Sequence, residues 1–143
     1  NMFENTEDHL RISAWREFRD LLEESPTPFK DLIHKYKRSP LVSIHIDPWD
    51  QSNWPTPWQL VEANQYCDFS RVLGMCYSLQ LTNRFKGAEI EIHIASDDEN
   101  SELMYLLFVD EKIIGIDEDD CVDRGDLSTQ LFSQRVYVMP PLN

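Results

Sequence analysis

The stretch Cys67-Asp68-Phe69-Ser70-Arg71-Val72-Leu73-Gly74-Met75-Cys76-Tyr77-Ser78-Leu79-Gln80-Leu81 decides how this chain folds. Phe69, Val72, Leu73, Cys76 and Leu79 recur at three- and four-residue steps, so a helix places them on one face. No other helical segment of the chain is as apolar, which predicts a central position with other elements packed around it. Cys67 stands at its opening turn and Cys76 on its apolar face.

Working outward toward the N-terminus, Thr56-Pro57-Trp58-Gln59 joins a capping box to a proline at the first helical position and predicts a short helix ending near Asn64. Ahead of it lies the turn-rich run from Asp47 to Pro55. Leu41 to Asp47 alternates, with Val42, Ile44 and Ile46 on one side and Ser43, His45 and Asp47 on the other, and so reads as a strand. Thr27 as N-cap with Pro28 behind it opens a helix whose face is Phe29, Leu32, Ile33 and Tyr36, with Lys35, Lys37 and Arg38 at the negative end of its dipole. From His9 to Glu24, the residues Ile12, Trp15, Phe18, Leu21 and Leu22 form one apolar stripe on a charged helix.

Toward the C-terminus the period changes to two. Ile90, Ile92 and Ile94 alternate with Glu89, Glu91 and His93, and Leu103 to Val109 is a nearly continuous apolar strand. Asp110-Glu111-Lys112 turns it into Ile113 to Ile116 as a hairpin. An acidic connection, Asp117 to Asp126, leads to a last short strand at Gln134 to Met139. Helices first and an antiparallel meander after is the α+β pattern, with helices packed on an antiparallel sheet. One domain of 143 residues is expected: a helical part (1–40), a strand, Trp/Pro-rich loop and central helix (41–81), and a β meander (82–143).

Charge narrows the function classes. With 26 acidic against 13 basic residues the formal charge is −13, and such a domain repels phosphate backbones, which excludes nucleic acid. Anionic membrane surfaces are disfavoured for the same reason, and no apolar run approaches the roughly 18 residues of a membrane span. Three cysteines, Cys67, Cys76 and Cys121, fit neither a disulfide framework nor a zinc site, so reduced thiols in a cytoplasm are expected.

The run Trp54-Pro55-Thr56-Pro57, a short helix, then Tyr66-Cys67-Asp68-Phe69 opening an apolar helix, with a later hairpin closing on Asp117, resembles the bacterial transglutaminase-like branch of the papain-type cysteine peptidases. The resemblance implies Cys67 as nucleophile, because a helix N-terminus favours thiolate. It implies Asp117 as the acid that orients a histidine base. That histidine should stand near Glu102 or Leu103, where this chain has none, and Gln65, Tyr66 and Ser70 replace the family's glycine, first acid and alanine. His93 is the histidine downstream of Cys67 and the candidate base if its strand reaches across. Its other reading is a position on a solvated strand face beside Glu89 and Glu91.

Two further features stand outside the resemblance. Asp117, Glu118, Asp119, Asp120, Asp123 and Asp126 crowd one connection and Asp97, Asp98 and Glu99 another; calcium would use such oxygens, but the spacing lacks the glycine and terminal glutamate of an EF-hand loop, so a solvated acidic surface is expected. Trp49, Trp54 and Trp58 beside their prolines would build a platform for a sugar or peptide, or anchor the loop to the core, the latter being expected. No cofactor or metal is expected. A thiolate without a base cannot return a proton to a leaving amine, so the sequence favours a non-catalytic binding or assembly module with a protein or peptide partner over a cysteine hydrolase or acyltransferase acting on amides.

Overall fold

The computed structural model describes residues 1–43, 45–97, 102–127 and 131–142. In chain order these form α1 (Asp8–Glu24), α2 (Pro28–Lys37), α3 (Pro57–Ala63), α4 (Asp68–Gln80), β1 (Ile90–Asp97), β2 (Leu103–Val109), β3 (Lys112–Gly115), β4 (Val122–Asp123) and β5 (Leu131–Met139). The five strands make one antiparallel sheet in the order β4-β3-β2-β1-β5, giving the α+β class.

Helix ends follow local chemistry. At α3 the Thr56 hydroxyl accepts from the Gln59 amide at 3.2 Å while the Gln59 side chain accepts from the Thr56 amide at 2.9 Å. Its far end turns on Asn64 in the left-handed region (φ 51°), a conformation asparagine tolerates. The Arg11 guanidinium of α1 donates to the carbonyls of Val61 and Glu62, covering orphan acceptors in the last turn of α3.

α4 is the central element. Val72, Leu73, Met75, Cys76 and Leu79 are fully buried, and helices enclose it on the side away from the sheet. Full burial of each aliphatic side chain contributes about 1.5–3 kcal/mol. Ser78 resolves the polar demand within this core: its hydroxyl donates to the Gly74 carbonyl at 2.8 Å and accepts from the Trp15 indole N–H at 2.9 Å. The Tyr36 hydroxyl lies 3.0 Å away on the same oxygen.

On the sheet, Ile90, Ile92 and Ile94 of β1 face α4 together with Leu107, Val109, Ile114 and Tyr137. The opposite face carries Glu91, His93, Phe108, Val136 and Val138, by the two-residue alternation of strands. Asp110, at φ 51°, makes the turn from β2 to β3, and its carboxylate accepts from the Glu89 amide at 2.9 Å.

Two differences from the sequence reading concern pairing. The expected strand over 41–47 is absent among its described residues, Ile44 lying outside them; an isolated parallel bridge joins Leu41 to Tyr66. Two hydrogen bonds, Val42 N–H to Tyr66 O and Tyr66 N–H to Pro40 O, hold it beside the start of α4, and among the described residues it joins no ladder of the sheet. The last strand is longer than expected and returns to the free edge of β1, so the meander closes on its first strand. Among the described residues no helix is long and apolar enough to cross a membrane.

Candidate functional site

Cys67 is the N-cap of α4, with extended backbone (φ −121°, ψ 177°). Three residues on, the Ser70 hydroxyl accepts from the Cys67 amide at 2.8 Å and lies 3.5 Å from the sulfur. Ser70 thus fills the reciprocal position of a capping box, and the departure from the alanine of the resembled family has a local use. Cys67 is 4% exposed.

Beside this helix start lies a cleft of about 190 Å³ lined by Asp68, Val72, Tyr105, Leu106, Ile116 and Asp117, among others. The hairpin therefore does bring Asp117 to the opening of α4. Arg71 sits nearby, with its guanidinium donating to the Ser39 hydroxyl at 2.8 Å and the Ser39 carbonyl at 2.9 Å. Burial lowers its basicity, and the carboxylates of Asp68 and Asp117 work against that shift.

Tyr105 stands on β2 two residues past the place where the resemblance wants a histidine, and its ring packs edge-on against Phe69 at 5.3 Å. Burial pushes the pKa of its phenol up, and the nearby carboxylates of Asp68 and Asp47 act in the same direction. A phenol held protonated donates a hydrogen bond but takes no proton from a thiol. The two-residue alternation of Leu103–Val109 was the signal that could have found it, since Tyr105 shares a face with Leu107 and Val109.

His93 is placed elsewhere. It lies on the face of β1 opposite the isoleucines, with its ring stacked on Phe108 at 3.7 Å. Nδ1 is 2.7 Å from the Ser133 hydroxyl and Nε2 is 3.1 Å from the Glu91 carboxylate. The sheet separates it from Cys67, so the expectation of His93 as base is corrected. It shares its face with Glu91 and the exposed Val136 and Val138, as the other reading expects, but its own ring is only 8% exposed because Phe108 and the neighbouring strands cover it. His9, His34 and His45 are exposed, and no histidine among the described residues hydrogen-bonds Cys67.

Among the described residues no three acidic, histidine or cysteine side chains converge as a metal site; Asp98 and Glu99 lie outside them. Trp54 anchors its loop, its ring 4.9 Å from Phe69 and 4.7 Å from Tyr137 and its N–H donating to the Asp47 carbonyl. Trp58 packs edge-on against Trp15, and Trp49 receives the Arg135 guanidinium over its face, so the tryptophans form no common platform.

The sequence reading passed over one surface. Lys30, His34 and Lys35 of α2 and Arg38 at its C-terminal cap converge with Phe18 and Leu21 of α1 on a groove of about 520 Å³. The signal was present in the spacing of Lys30, His34 and Arg38, four residues apart and hence on one helical face.

No protein-family profile matches this chain, and neither a curated protein nor a solved structure matches it.

Proposed function

We propose that this domain is a non-catalytic binding or assembly module of transglutaminase-like arrangement, acting on a protein or peptide partner in a reducing cytoplasm. The observation that carries the reading is the separation of Cys67 from His93 by the thickness of the sheet. Among the described residues, the buried sulfur has the Ser70 hydroxyl as its hydrogen-bonding neighbour and no histidine to take its proton or to return one to a leaving amine. Three free thiols support the reducing compartment. The acidic balance of the chain argues for proteins over nucleic acid.

The second reading, a cysteine hydrolase or acyltransferase with Cys67 as nucleophile and Asp117 as orienter, draws support from the cleft that Asp117 shares with the first turn of α4. Alkylation with iodoacetamide over a pH series, resolved cysteine by cysteine with mass spectrometry, separates the two. The expected result is a Cys67 that reacts at least about tenfold more slowly in the folded protein than in the denatured chain, because the thiolate must first become accessible. Fast labelling of Cys67 well below the pH typical of free thiols would remove the binding-module reading and favour the enzyme.

A further inference from the structure

The groove between α1 and α2 reverses the sign of the rest of the molecule. The chain has twice as many carboxylates as cations, 26 to 13, yet Lys30, Lys35 and Arg38 make no ion pair among the described residues. Helix stability does not account for all of them. Lys30 sits in the first turn of α2, where the positive end of the dipole disfavours a cation. The one carboxylate lining the groove, Asp31, is already engaged by the hydroxyls of Ser25 and Thr27.

The floor is apolar. Leu21 is 54% exposed although Trp15, Phe18 and Leu22 of the same helix turn inward, and the Lys35 ammonium lies 5.0 Å over the Phe18 ring. Burial lowers the basicity of Lys35, and the nearby Arg38 lowers it further, as expected of cations held close together. A groove of about 520 Å³ with an apolar floor and a few convergent charged groups falls within the ordinary range of binding sites.

We propose that this groove binds a short acidic peptide segment of a partner protein, an apolar side chain seating on Phe18 and Leu21 while flanking carboxylates pair with Lys30, Lys35 and Arg38. Charge complementarity selects this occupant. Fields are screened within about 8–10 Å at ordinary ionic strength, so a short segment senses the local cations. A long polyanion must also lie across the surrounding carboxylates of a domain with charge −13. A lone small anion would leave Leu21 uncovered. The inference goes beyond the reading of Cys67 and survives either outcome of the alkylation experiment.

The test is a titration of ¹⁵N-labelled protein with the acetylated, amidated hexapeptide EDLFDE, read by amide chemical shifts, with QNLFNQ as the neutral probe. Shifts are expected on residues 18–21 and 30–38, with binding weaker by about tenfold or more for QNLFNQ and for the exposed pair Lys30→Gln/Arg38→Gln. Leu21→Ser should weaken it as well, and Lys86→Gln, outside the groove, should not. Raising salt from about 50 to about 300 mM should weaken binding by screening. Equal binding of the charged and neutral peptides, shifts centred elsewhere, or tighter binding of an oligothymidine of equal charge would each overturn the proposal.

Discussion

Tyr66, next to Cys67, buries its hydroxyl without a hydrogen-bond partner among the described residues, while its ring packs edge-on against Phe3 and Tyr36. A buried, unsatisfied hydroxyl costs about 1–3 kcal/mol of desolvation with nothing returned. Tyr66→Phe, which keeps the ring, should therefore leave stability unchanged or raise it by up to about 1 kcal/mol, measured by urea unfolding. A loss of more than that would mean the hydroxyl has a partner. At this scale the sequence was a partial guide. Alternation placed His93 on the correct strand and away from the isoleucines, but its burial depends on Phe108, fifteen residues away, whose ring reaches it diagonally across the β1–β2 ladder.

Among the elements, α4 is closely constrained by its neighbour α2. A Cβ built on Gly74 would meet the Tyr36 ring at 2.5 Å, and Tyr36 is 1% exposed with its hydroxyl tied to Ser78, so the ring has little room to yield. Alanine would gain up to about 1 kcal/mol of helix propensity. The clash between α2 and α4 should outweigh that gain, for a net loss of about 1–3 kcal/mol. Thermal unfolding of Gly74→Ala checks this, and an unchanged or raised Tm would show that the two helices can move apart. Helix boundaries were largely legible because caps are local: Thr56, Gln59 and Pro57 lie within four residues of one another. The segment 41–47 misled because alternation shows only that a strand could be half buried. A strand also needs a neighbour, and this segment lies beside the turn before α4.

For the whole molecule, the buried phenols couple folding to alkaline pH. Burial pushes Tyr36 up to about 12, partly offset by the nearby polar groups of Ser78 and Trp15, and it raises Tyr66 and Tyr77 as well. An unfolded tyrosine ionises near pH 10, so the unfolded chain sheds these protons first. The contribution of the neutral phenols is complete below about pH 10 and declines as pH rises through the folded value of Tyr36. Tm should fall across that window, with tyrosinate absorbance and unfolding appearing together. Ionisation of all the tyrosines while the fold stays intact would contradict it. By itself the sequence determined the α+β class, the central helix with Cys67 at its opening, the hairpin and the acidic balance, because periodicity, capping and composition act over a few residues. Only the tertiary structure decided which sheet face His93 occupies relative to Cys67, that Asp117 meets the first turn of α4, and that the cations of α2 share a groove with α1. Those depend on which distant surfaces bury one another, and the hydrophobic effect that drives burial is non-directional, so no local pattern carries the answer.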